Sequence, residues 1–316
     1  DETVYLAMIV YFPEEVGNEQ DGMVYNRKDV ELKTELSLNV AATQAPFESD
    51  SFDENYDENA VYGDPWDGEA VDTAWFDAEQ TAFTLNKPEQ LAGLAALVNE
   101  GTTFEGKTIT LTENISLGNK EWTPIGDMQN SFKGTFNGTG CTISDIAINQ
   151  KCVVASYDYL SIGLFGYVED ANISNLKVDG CLVIDEPFDS ENFGWDAVCL
   201  FGGICGMAHN SIIERCTNSI DFDASNVSIG DMKHGAVIIG GICAMGVNEK
   251  IDNGDDYSKK TIIRDCLNEG NFKLLGNDNG CPGSVGITGV IDSDYFVHVE
   301  NCVNVGHFTI KGYKED

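Results

Sequence analysis

The side chains in this chain with the means to do chemistry are its carboxylates, four histidines and ten cysteines. None of these sets is spaced as a familiar reaction requires. Asp185, Glu186, Asp189, Asp196, Asp223 and Asp231 could line one face of a glycan-cleaving site, where paired carboxylates serve as acid and base, yet no spacing singles out a pair. A lyase would need a cation or a bound Ca²⁺ beside a uronate, and Arg215, Arg264 and a few lysines are the cations at hand. His209, His234, His298 and His307 form no HExxH pattern and read as solvated or hydrogen-bonding residues. The glycines follow a strand-and-turn rhythm, and there is no GxSxG elbow. The cysteines run from Cys141 to Cys302 without a CxxC pair, which argues against zinc.

Charge narrows the partners. With 18 Lys and Arg against 53 Asp and Glu, the formal net charge is -35, which repels phosphate backbones and anionic lipid. No nucleic acid is expected as a partner. An acidic, solvated surface is the plain reading, and Ca²⁺ is the one cofactor it leaves open. No run approaches the ~20 apolar residues needed to span a bilayer, so no membrane insertion is expected, and the sequence holds no basic n-region followed by an apolar h-region.

The elements that must position any site fall into three stretches. Residues 1–46 hold two alternating, β-rich segments, Val4–Phe12 and Val30–Thr43. Two strands are too few for an independent domain, so they are expected to pair with upstream strands or with a neighbouring molecule, a route to self-assembly. Residues 47–72 read as an acidic linker, with six acids among the eleven residues Glu48–Glu58. Residues 73–316 open with a strand-like segment, Trp75–Leu85. A helix follows, beginning at Pro88 with Leu91, Leu94, Leu97 and Val98 on one face and Gly101 beyond its end. Such a helix is suited to cap a stack of strands.

After the helix the chain repeats itself. Gly163-Leu-Phe-Gly166, Gly203-Ile-Cys-Gly206, Gly241-Ile-Cys-Ala244 and Gly286-Ile-Thr-Gly289 each open a unit. An Ile/Val strand with a polar turn comes next and then a third short strand, as in Ile213–Asn218 and Ile220–Phe222. Three short strands per unit predict an all-β fold, a right-handed parallel β-helix (solenoid) with an N-terminal capping helix. From Leu176 the steps to Cys216, Cys266 and Cys302 are 40, 50 and 36 residues, so the length differences fall in the connections Asp185–Ala197, Ser225–Ala236 and Val247–Lys260. Stacking then places Cys205 and Cys243 in one column with Phe165, and Cys216, Cys266 and Cys302 in another with Leu176. Asn218, Asn268 and Asn304 form a third, read as an amide ladder. The cysteine columns read as core packing, although neighbours one strand apart lie within disulfide range. Glu214, Arg264 and Glu300 share an outward column, as do Arg215 and Asp265, so opposite charges meet.

Two resemblances to known families rest on particular residues. Glu121-Trp-Thr-Pro-Ile-Gly126, Phe132-Lys-Gly-Thr-Phe-Asn-Gly-Thr-Gly-Cys-Thr-Ile-Ser144, Ile162-Gly-Leu-Phe-Gly166 and Ile173-Ser-Asn-Leu176 resemble the GLUG-type β-helix region of bacterial surface proteins, closely from about Thr73 to Val178 and loosely beyond. Met23-Val-Tyr-Asn26, Val30-Glu-Leu-Lys33 and Val40-Ala-Ala-Thr-Gln44 resemble the closing strands of the jelly-roll domain of TasA/camelysin matrix proteins, a likeness that implies a domain starting upstream. Both imply a secreted protein of the bacterial cell surface or extracellular matrix, and neither brings a catalytic residue. The expected function is therefore non-catalytic, an adhesion or biofilm scaffold. Exposed aromatics Phe193, Trp195, Tyr257 and Tyr295 in the connections are the candidates for binding a host or bacterial surface glycan or protein. A polysaccharide-degrading or glycan-binding β-helix protein is the alternative.

Overall fold

The computed structural model describes residues 64–149, 159–183, 198–228, 236–247, 261–275, 286–290 and 297–311. All of these fall in the unit Val61–Asp316, and the strand pair expected in residues 1–46 lies outside them. The described residues are mostly β, with 22 strands and one helix. Every pairing among these strands is parallel.

Parallel neighbours cannot be joined by a hairpin; here the chain visits other sheets before it returns. From Tyr159 the order of visits is regular. Tyr159–Ile162 joins a three-stranded sheet, Phe165–Glu169 a four-stranded one, Asn172–Ser174 a seven-stranded one and Lys177–Val183 an eight-stranded one. Val198–Gly202, Cys205–His209, Ile212–Glu214 and Thr217–Ser228 then take the same places in the same order. Each of these two circuits thus contains four strand positions, where the sequence reading expects three. The extra strand, such as Val198–Gly202, is apolar without alternation because it is buried on both faces: Cys199 and Phe201 join the main core, while Leu200 packs with Met207 and Met245 in a second cluster. Only Gly203 and Ile204 separate it from the next strand, Cys205–His209, so no polar turn marks its end.

Two other expectations change. Trp75–Leu85 is a strand only over Ala82–Leu85; Trp75 and Phe76 sit instead in an aromatic cluster with Phe83 and Phe104. The connection expected over Ser225–Ala236 is shorter, because one strand continues through Ser228 and the next begins at Ala236. Trp66, in the stretch read as linker, is buried and meets Trp122 edge to face at 5.9 Å.

Helix α1, Pro88–Asn99, starts where Lys87 is extended and Pro88 needs no N–H partner, and ends where Glu100 N bonds Ala96 O and Gly101 takes φ 107°. Its Leu91, Leu94 and Val98 are fully buried. Gly93 costs the helix about 1 kcal/mol relative to alanine, but a Cβ there would lie 1.9 Å from Asp72 O. The residue is small because another stretch of backbone crosses it.

One column shows how the core is filled. Phe83, Ile109, Phe136, Ile173, Ile213, Ile263 and Val299 are successive partners across the seven-stranded sheet. All but Val299 are buried, and they belong to one cluster to which all four sheets contribute. Burying each such side chain contributes about 2 kcal/mol.

Candidate functional site

The repeated side chains fall into inner ladders and an outer row. In the eight-stranded sheet one inner column reads Ile115, Ile143, Val178, Asn218, Asn268, Asn304. Its second half is an amide ladder: Asn218 Nδ2 donates to Asn268 Oδ1 at 2.7 Å, and Asn268 Nδ2 donates to Asn304 Oδ1 at 2.6 Å. The same amides serve the backbone, since Ile220 N donates to Asn218 Oδ1 and Asn268 Nδ2 donates to Gly270 O. Asn218 and Asn268 are buried, where an unpaired amide would cost a few kcal/mol. Glycines make room for them: a Cβ on Gly203 would sit 2.0 Å from Asn218 Oδ1, and one on Gly241 would sit 2.3 Å from Asn268 Cγ.

Cys205 faces Cys243 and Phe165 in register. Cys216, Cys266 and Cys302 take equivalent places with Leu176, and Cys141, not grouped with them from sequence, precedes Leu176 in that column. All are free thiols. Burial, with the neighbouring Cys243, pushes the Cys205 thiol well up, and the hydrogen bond with Cys216 together with burial does the same for Cys266. A thiol held protonated is a poor nucleophile and metal ligand. Among the described residues no group of three or more His, Cys, Asp or Glu is placed to hold a metal ion.

The outer row lies where the chain turns from the seven-stranded to the eight-stranded sheet. Asn175, Arg215, Asp265 and Asn301 occupy this turn in successive circuits, all left-handed with φ of 52–54°. Asn and Asp tolerate that backbone; Arg215 adopts it with its side chain tied on two sides. Arg215 Nε donates to Asn175 Oδ1 at 2.8 Å, and its Nη2 donates to Glu214 Oε1. Arg264 Nε donates to Glu214 Oε2 at 2.7 Å. The side chain of Glu214 is 9% exposed; burial opposes its ionisation, but the two guanidiniums outweigh this and hold its carboxyl below the ordinary value. The Glu214–Arg264 contact is one the charge columns anticipate. Arg215 and Asp265 turn to other partners: Arg215 donates to Asn175 and Glu214, and Asp265 accepts from Asn301 Nδ2 at 3.2 Å.

A second polar cluster joins Ser131, Lys133, Glu169 and His209. Glu169 Oε2 accepts from Lys133 Nζ at 2.8 Å and from Ser131 Oγ at 2.9 Å, while His209 Nδ1 stands 3.9 Å from Glu169 Oε1. The carboxylate lies between the serine and the imidazole, so the hydroxyl donates to Glu169 and not to His209, and the serine–histidine contact of a nucleophile with its imidazole base is not made. Burial raises the Glu169 pKa, and the bonds from Lys133 and Ser131 more than reverse this. Burial also pushes Tyr167 up to about 12, with Glu169 nearby adding to it.

Phe193, Trp195, Tyr257 and Tyr295 lie outside the described residues, as do Asp185, Glu186, Asp189, Asp196, Asp231 and His234. Asp223 is described, and its carboxyl is held below the ordinary value, first by a hydrogen bond with Ser225. No helix among the described residues is long and apolar enough to cross a membrane.

No family model matches this chain, and no solved structure does. A 104-residue stretch is 31% identical to a protein of Evansella cellulosilytica that carries the provisional name Gly-rich membrane protein. The match covers 32% of this chain and 11% of that protein, so the chain spans about a tenth of the length of the relative it matches.

Proposed function

We propose that residues 73–316 form a right-handed parallel β-helix that acts as a non-catalytic scaffold, secreted to the bacterial cell surface or extracellular matrix and adhesive there. The observation that carries this reading is constant register across connections of unequal length. Asn175 and Arg215 meet across 40 residues, Asn218 and Asn268 across 50, and Asn268 and Asn304 across 36. Equivalent side chains are engaged in holding neighbouring strands together, whereas length and composition vary between strands. A frame that accepts insertions without losing register is suited to recognition. In this reading Phe193, Trp195, Tyr257 and Tyr295 supply aromatic contacts to a surface glycan or protein, and residues 1–46 close a TasA-like domain whose strands support self-assembly.

The test combines a binding screen on bacterial and host glycans and surface proteins with a reducing-sugar assay on the same glycans. Binding without sugar release, weakened about tenfold by Trp195→Ala, agrees with the scaffold reading. Sugar release that disappears when a carboxylate among Asp185, Glu186, Asp189, Asp196, Asp223 and Asp231 is changed to its amide replaces it with a polysaccharide-degrading enzyme.

A further inference from the structure

We propose that the groove beside the outer row is a subsite for an acidic glycan whose carboxylates are widely spaced. This deepens the scaffold reading and rests on it. The groove is lined by Asn137, Thr139, Asn175, Lys177, Arg215 and Thr217, with Leu176 and Gly140 completing it and no carboxylate in the lining. In a chain with 53 acids and 18 bases, a lining that holds two cations and no carboxylate stands apart, with the balancing carboxylates Glu214 and Glu269 placed outside it.

The donors are held in place before any ligand arrives. Arg215 is half exposed. Its guanidinium has five N–H donors; one is used on Asn175 and one on Glu214, which leaves the remainder for a ligand in a fixed plane. Asn175 Nδ2 donates to Asn137 Oδ1 at 3.0 Å, and Thr139 N donates to the same oxygen at 3.0 Å. Both bonds fix the orientation of the Asn137 amide and assign its oxygen, so its Nδ2 hydrogens are the part available to a ligand. The Nζ of Lys177 is 3.6 Å from Glu269, and its side chain is 45% exposed.

A groove of fixed donors and positive charge calls for a ligand of acceptors with a carboxylate, and a planar guanidinium binds a carboxylate through paired hydrogen bonds. Asn137, Asn175 and Arg215 lie on or beside successive strands, about 4.8 Å apart per step, so the donors form a line that suits a linear polymer of ring and hydroxyl oxygens. The net charge of -35 repels a densely charged chain. Sparse carboxylates, one uronate between neutral sugars, satisfy both conditions.

The experiment is calorimetry on the full 316-residue chain with oligosaccharides of alternating glucuronate and N-acetylglucosamine. Neutral N-acetylglucosamine oligomers and densely sulfated heparin fragments are the comparison arms. The expected order is the alternating glycan first, with the others at least about tenfold weaker, and affinity falling as salt rises. Arg215→Asn keeps a residue suited to the left-handed turn while removing the cation, and should lower affinity about tenfold. Lys177→Gln should lower it by a smaller factor, and decides the matter if the first variant does not fold. Asn301→Ala, in the same row but outside the groove, should leave affinity unchanged. Absence of binding, equal binding of the neutral oligomer, preference for heparin, or unchanged affinity in both groove variants overturns the proposal. A glycan bound through Trp195 but indifferent to Arg215 and Lys177 would remove the subsite and leave the scaffold standing.

Discussion

Single residues in this protein carry their charge in shared arrangements. Glu169 is held by Lys133 and Ser131, and Glu214 by Arg215 and Arg264; in both, bonds to the ionised form outweigh burial and keep the carboxyl below its usual range. A carboxyl whose folded pKa is depressed contributes stability that is present above its unfolded pKa and is lost as pH falls through the folded value. Stability should therefore decline as pH drops below the ordinary carboxylate range of about 4, because the unfolded chain takes up protons that the folded chain refuses. Urea midpoints between neutral pH and about pH 3 measure this. Glu169→Gln should reduce the steepness of the decline, and a variant with unchanged pH dependence would show that the Lys133 contact contributes nothing to folding.

At the scale of elements, glycine and asparagine interlock. The three atoms nearest a Cβ on Gly241 all belong to Asn268, so Gly241→Ala should destabilise by about 2 kcal/mol through overpacking. Asn268→Gly should cost about 3 kcal/mol by leaving Asn218 Nδ2 and Asn304 Oδ1 without their partner. The double variant should be more stable than the sum of the two predicts, since the clash vanishes with the side chain; additive thermal shifts would contradict the contact. Much of this level was legible in the sequence, because Asn and Cys recur at steps of 50 and 36 residues, preceded by a step of 40 from Leu176 to Cys216, and the strand registers use those same steps. The strand Val198–Gly202 escaped because it is buried on both faces and has neither alternation nor a polar turn after it. Cys141 escaped because the column passes through Leu176, and a motif built on cysteine does not look past a leucine. The groove escaped for a different reason: Asn137, Asn175 and Arg215 come together only once strands stack, and their hydrogen bonds have no local signature.

For the unit Val61–Asp316 as a whole, stability should follow position in the sheets. Asn172–Ser174, Cys205–His209 and Ile212–Glu214 have a parallel neighbour on each side, whereas Thr288–Val290 and Val297–Glu300 are, among the described residues, the last strands of their sheets. Around them Val299, Val303, Val305 and Phe308 remain exposed. A stack of nearest-neighbour contacts opens from its ends. Hydrogen exchange should be slowest in the first three strands and faster toward the last two, while equal protection throughout would mean that the unit opens all at once. The amide ladder adds one property that side-chain volume alone would not. Every amide in it points the same way, nitrogen toward the later strand and oxygen toward the earlier one, so the small dipoles add head to tail along the stack. The column therefore has an electrical sense, with its partial positive end at Asn304. A group placed against that amide is bound well only if it offers a lone pair, and in this respect the stack behaves like the N-terminus of a helix built out of side chains.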